Sequence, residues 1–195
     1  DKVWEIEPYE RIRRISHCPN CYVKPAGTSF TNILLREELN KYFPTVVMEK
    51  KIFVGTEKKK VKYYSVDIFI ENLNLVIQYN SDFYHNEKTN RIKSDKSINQ
   101  EIKDSGYKMI IIHELHDSKK QIFPNDIFLE KKIDGRIEKD HKEIITKLIL
   151  GINKIKTGVI PEQILNNCKD DNYKIHDFKK IRRAFIEAKI KKRKI

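Results

Sequence analysis

In a chain of 195 residues, 40 Lys and Arg stand against 28 Asp and Glu, which gives a formal net charge of +12 and a pI near 9.4. An excess of this size favours a polyanionic partner. No apolar run approaches the roughly 18 residues that a membrane span needs, no signal peptide is visible, and three cysteines, an odd number, do not suggest a disulfide scaffold. The expectation is a cytosolic protein without a membrane partner. It should have one main domain with small appendages, large enough to bury about 70% of its unfolded surface.

The first segment, residues 1–27, contains His17-Cys18-Pro19-Asn20-Cys21. Two thiolates two residues apart fit one tetrahedral Zn²⁺, but a structural site takes four ligands. Cys18 and Cys21 therefore read as a partial zinc knuckle, with His17 adjacent and Cys168 distant. Thr28 or Ser29 is a suitable N-cap for a helix over 31–43, which Pro44 ends. Val46 to Val54 and Lys60 to Ile70 read as a hairpin around Gly55-Thr56-Glu57, with Lys58-Lys59-Lys60 as a solvated or phosphate-contacting loop.

In Ser65–Ile70 the residues alternate, so Val66, Ile68 and Ile70 should face one way and Asp67 the other. Glu71-Asn72-Leu73-Asn74 is a tight turn. Leu75 to Tyr79 is nearly continuous apolar sequence, as in a strand buried on both faces. A polar loop then carries Asp82, Phe83, Tyr84 and His85. Arg91 to Ser105 reads as a helix closed by Gly106, with Ile92, Asp95, Ile98 and Ile102 at spacings of three and four. Tyr107 to His113 is a second buried strand, and strand, helix and strand form a crossover unit.

Polar groups fall at unusual places in this unit. Asp67 interrupts an apolar strand, Gln78 and Asn80 occupy the end of the next, and Asp95 lies on the inward stripe of the helix. A charge in such a place costs several kcal/mol unless it is paired or metal-bound. Their convergence reads either as a buried hydrogen-bond network or as a metal-dependent phosphodiesterase site.

VDIFI, LVIQYN, DFYH and the helix with Ser94-Asp95 together resemble the very-short-patch-repair branch of the PD-(D/E)xK nuclease superfamily, described by an E-D-x-H-D signature and including phage and homing-type endonucleases. The resemblance covers roughly Cys18 to Glu114. It implies an α/β fold, a restriction-endonuclease-like mixed sheet of four or five strands flanked by helices. It also implies a divalent-metal-dependent endonuclease that hydrolyses or nicks DNA, bacterial or phage-encoded. Asp67 matches the metal-binding strand Asp, Gln78 the variable position, Tyr84-His85 the aromatic-His pair and Asp95 the final Asp. The resemblance thus assigns catalysis to Asp67, Gln78, His85 and Asp95, Mg²⁺ or Mn²⁺ to Asp67 and Gln78, and DNA contact to Tyr84. Asn32 stands where the first Glu is expected, with Glu37 and Glu38 further along the same helix. Amides at 32 and 78 keep a second reading open, a nuclease-derived DNA-binding module without catalysis. An RNA-directed nuclease is a third, since the chemistry is shared.

On this reading residues 28–116 form the nuclease core and 117–195 a mostly helical basic extension. Leu115 to Arg136 reads as irregular, Glu138 to Ile155 as an amphipathic helix, and Glu162 to Asn166 as a short helix after Pro161. The last helix, over 178–194, carries Arg182, Arg183, Lys191, Lys192 and Arg193 and is the densest positive element, a candidate DNA contact.

Overall fold

A central strand that is apolar on both faces needs a cover on each side, and the fold is built around that requirement. A computed structural model describes residues 29–57, 60–80, 91–114, 124–129, 133–134 and 136–192, with the backbone alone described at 56–57, 60, 91–95 and 191–192. Helix α1 (Phe30–Leu39) precedes strands β1 (Val46–Glu57), β2 (Lys60–Ile70) and β3 (Leu75–Asn80). Helix α2 (Arg91–Asp104), β4 (Lys108–Glu114), β5 (Ile127–Leu129) and helices α3 (Glu138–Ile155), α4 (Glu162–Lys169) and α5 (Phe178–Lys192) follow. The strands form one mixed sheet in the order β1-β2-β3-β4-β5. The first three are antiparallel, and β3-β4 and β4-β5 are parallel.

Alternation along β3 and β4 sends side chains to two cores. Leu75, Ile77, Tyr79, Ile110 and Ile112 join a larger cluster with Leu34 of α1, Ile144, Leu148 and Ile152 of α3, Leu165 of α4 and Phe178 of α5. Val76, Met109 and Ile111 join a smaller one with Ile102 of α2. The sheet is thus covered on one face by α2 and on the other by α1, α3, α4 and α5. The core continues without a break into the C-terminal helices.

Local chemistry sets the element ends. Ser29 caps α1, its Oγ accepting the Asn32 N–H at 3.0 Å. At the end of α2, Gly106 has φ +88°, its N–H reaches the Lys103 carbonyl at 2.9 Å, and the Tyr107 N–H reaches the Ile102 carbonyl at 3.4 Å. A glycine is needed there because a Cβ disfavours the left-handed region. The turn after β2 is one turn of 3₁₀ helix, Glu71–Leu73, and Asn74 leaves it with φ 49°. Asn74 Nδ2 donates to the Gly106 carbonyl at 3.0 Å, which stitches the two turns together.

Four expectations need correction. The helix expected over 31–43 spans Phe30–Leu39 and closes at Asn40, whose N–H reaches the Arg36 carbonyl, before Pro44 is reached. Val66 does not share a core with Ile68 and Ile70: it packs in the smaller cluster with Ile52 and Ile102. The change falls where Glu49, with φ 49°, and Asp67 opposite it are both absent from the ladder between the pairs Met48↔Ile68 and Lys50↔Val66, the register being the same on either side. The ribbon therefore changes face at Asp67. Gly55 is not in the hairpin turn but at a bulge, φ 127°, where the β1–β2 register shifts. The stretch after Glu114 is not wholly irregular, since β5 extends the sheet.

Gly151 lies inside α3, and a Cβ added there would meet Ile110 Cδ1 at 3.6 Å and Ile127 Cδ1 at 4.0 Å, both ordinary contacts. Gly151→Ala should therefore stabilise the fold by about 0.5–1 kcal/mol through helix propensity. Urea denaturation reads this as a raised midpoint with unchanged slope; a lowered midpoint would mean that α3 and the sheet leave no room.

Candidate functional site

The carboxyl end of β3 is where the polar residues meet. The β2–β3 ladder runs from Ile70↔Leu75 to Ile68↔Ile77. At the next position side chains take over. The Tyr79 N–H donates to Asp67 Oδ2 at 2.8 Å, and the Asp67 N–H donates to Gln78 Oε1 at 3.3 Å. Asp67 and Gln78, both half-buried, are therefore brought together as a reciprocal clasp between strands. Asn80 ends β3 in register with His113 of β4.

Tyr84 and His85, with Asp82 and Phe83, lie outside the described residues, as does the side chain of Asp95 on α2. Among the described residues, no three His, Cys, Asp or Glu side chains group so as to hold a metal ion. The Asp67 and Gln78 oxygens make a partial donor set for a hard cation. Mg²⁺ is bound through one or two carboxylates and keeps several waters, and Asp67 supplies one carboxylate at this point. In that limited sense the residues fit the ion.

Both glutamates of α1 are engaged in ion pairs. Glu38 is buried and accepts the Tyr173 hydroxyl at 2.6 Å, with Lys41 Nζ at 2.5 Å. Glu37 pairs with Arg36. Asn32 is buried, and its Oδ1 has no hydrogen-bond partner among the described residues.

Two polar groupings beside this end of the sheet are not apparent from the sequence. On β4, His113 is 5% exposed; its Nε2 lies 3.3 Å from Asp126 Oδ2 and its ring stacks on Phe128 at 5.1 Å and 8°. On the larger-core face, the Tyr79 hydroxyl bonds to Glu114, which also accepts the Ile133 N–H at 3.0 Å. Burial first, then the Glu114 bond, pushes the Tyr79 phenol far above its usual range. Between α1 and α3, Thr31 Oγ1 lies 3.4 Å from His141 Nε2, and His141 Nδ1 reaches the Ile137 carbonyl at 3.0 Å. A sequence signal for this last pair exists: His141 starts the stripe Ile144, Ile145, Leu148, a polar residue at an inward position.

The predicted DNA contacts are spread along α5. Arg182 is half-buried, Arg183 is exposed and pairs with Glu187 at 3.1 Å, Lys191 and Lys192 are described only as backbone, and Arg193 lies outside the described residues. The helix is anchored by its apolar side, with Phe178 5.6 Å and Phe185 5.5 Å from the ring of Phe30. Cys18 and Cys21, the zinc candidates, also lie outside the described residues, whereas Cys168 is packed in the larger core and burial pushes its thiol up. Among the described residues no helix is long and apolar enough to cross a membrane.

Burial pushes His141 below its ordinary value of 6.5, against the raising influence of the Ile137 carbonyl, Asp140, Asp134 and Glu114. The unfolded chain then binds this proton more readily than the folded one, so stability is fully present above pH 6.5 and is lost as pH falls through the depressed folded value. His141→Gln should flatten this limb of a stability–pH curve measured by urea denaturation between pH 7 and 5. An unchanged slope would assign the limb to other groups.

No protein-family model matches the chain, and no curated protein or solved structure matches it. The functional reading rests on the residues themselves.

Proposed function

We propose that the chain is a divalent-metal-dependent endonuclease with a restriction-endonuclease-like core, similar to the very-short-patch-repair branch of the PD-(D/E)xK superfamily. The observation that carries this reading is the clasp of Asp67 with Gln78 and Tyr79 at the carboxyl end of the strands. An acid flanked by Val66, Ile68, Phe69 and Ile70 is held there, half-buried, beside the end of β3. The five-stranded mixed sheet with helices on both faces is compatible with the architecture the resemblance implies.

In this reading Asp67 and Gln78 hold Mg²⁺ or Mn²⁺, which supplies charge at the phosphate and lowers the pKa of bound water. The clasp orients Asp67: the Tyr79 N–H fixes one carboxylate oxygen, and the strand backbone cannot move without breaking that bond. His85 carries a proton, either from the attacking water or to the leaving oxygen, since an ordinary imidazole titrates near working pH. Asp95 orients His85. The phosphate backbone is drawn by the +12 charge.

A second reading, a DNA-binding module without cleavage, is favoured by one observation: two positions where the wider superfamily has acids are the amides Asn32 and Gln78. Titration of Mg²⁺ and Mn²⁺ on plasmid, DNA oligonucleotides and RNA separates the readings. Asp67→Asn keeps an acceptor for the Tyr79 N–H while removing the charge, so it tests chemistry rather than folding. It should lower cleavage roughly 100-fold or more, as loss of several kcal/mol of charge stabilisation implies, and leave binding largely intact. Silence of the wild type on every substrate, with binding retained, would give the function to the non-catalytic module. Cleavage of RNA alone would give it to the third.

The basic face of α5 makes a separate expectation. Because Phe178 and Phe185 pack on Phe30, deleting the helix would expose α1, and neutralisation is the cleaner test. Arg182→Gln with Arg183→Gln should reduce the slope of log affinity against log salt by about 0.9 for each duplex phosphate that these arginines neutralise. An unchanged slope would return these arginines to a solvated surface.

A further inference from the structure

The β1–β2 ribbon extends beyond the rest of the sheet. Strand β2 pairs with β1 from Lys60 to Ile70 but with β3 only at Ile68, Phe69 and Ile70. One face of the extension is anchored to α2. Ile52 and Val66 are buried against Ile102, the Tyr64 hydroxyl bonds to Glu101 at 3.1 Å, and Lys62 pairs with Glu101 at 2.5 Å. The opposite face carries Phe53, Val61 and Tyr63, which are 48%, 55% and 56% exposed. Phe53 and Tyr63 are cross-strand partners whose rings meet edge to face at 5.8 Å. Three large apolar side chains side by side on a solvent face mark an interaction surface.

Charge identifies what would cover it. The exposed Lys51 neighbours Phe53 along the ribbon, on the same face, and the chain as a whole carries a formal net charge of +12. A second copy docking here would bring Lys51 and a net charge of +12 against the same charge, whereas a polyanion with flat, stackable groups suits both the rings and the positive charge. We infer that the ribbon is a nucleic-acid arm on which Phe53 and Tyr63 stack an unpaired base beside the proposed cleavage site. Tyr63 lies four residues along β2 from Asp67, about 13 Å at roughly 3.3 Å per residue. That distance spans about four stacked nucleotides at roughly 3.4 Å each, so a base on the platform and a phosphate at Asp67 can belong to one strand. This inference rests on the nuclease reading only in taking nucleic acid as the partner.

The test uses the full chain in EDTA, with a single-stranded DNA oligonucleotide carrying 2-aminopurine and the matching duplex. Phe53→Ala and Tyr63→Ala, whose side chains are exposed and whose melting temperatures should be unchanged, are each expected to weaken single-strand binding about ten-fold. They should also alter the quenching of 2-aminopurine while leaving the salt slope unchanged, because neither substitution removes a cation. Tyr63→Phe should retain binding. Wild-type binding with unaffected alanine variants would overturn the arm and leave the nuclease reading standing. A wild-type dimer that dissociates in Phe53→Ala would overturn it in favour of a second copy. A wild type that binds no nucleic acid would overturn both.

Discussion

One oxygen of Asp67, bound to the Tyr79 N–H at 2.8 Å, holds together two things that otherwise conflict. A sheet wants its strands paired by backbone groups, and the proposed phosphate-processing site wants a carboxylate where strands end. At Asp67 the side chain substitutes for a ladder partner, and Gln78 returns the bond to the Asp67 N–H. Each satisfies a backbone donor that separation of the strands would leave alone, a loss comparable to a full hydrogen bond. The same contact gives the carboxylate a fixed direction. Stability and the proposed chemistry thus depend on one bond, which explains why a charged residue is tolerated between Val66 and Ile68.

The two faces of the sheet are used differently. On the smaller-core face, α2 covers Val76, Met109 and Ile111 and, by alternation, Gln78 and His113 lie toward the same side. On the larger-core face, Tyr79 and Glu114 tie the end of β3 to the end of β4 and to Ile133. His141 and Thr31 then connect α3 to α1. Such a network costs desolvation and is recovered only if its members are paired. It has the geometry of a lock between helices and strand ends rather than of an open site.

Much of the architecture was legible because it follows local rules. The apolar run Leu75–Tyr79, the amphipathic stripe of Ile144, Leu148 and Ile152, the Ser29 cap and the Gly106 stop each depend on neighbours within a few residues, and each is where periodicity and capping chemistry place it. The short β5 is not legible in the sequence because Ile127–Leu129 is too brief for alternation to register.

The sequence by itself determined a mixed α/β chain with a strong positive charge and an acid inside a strand. It could place Asp67 and Gln78 on consecutive strands, since one short turn separates them. Only the tertiary structure decided that Val66 leaves the face of Ile68, at the place where Glu49 and Asp67 drop out of the ladder between the two strands. It alone committed Glu38 to Tyr173, 135 residues away, and paired His113 with Asp126 and Glu114 with Tyr79. Periodicity reports which way a side chain points along its own element. Which polar group it meets there depends on register and packing between elements, and those are settled only when the whole core closes.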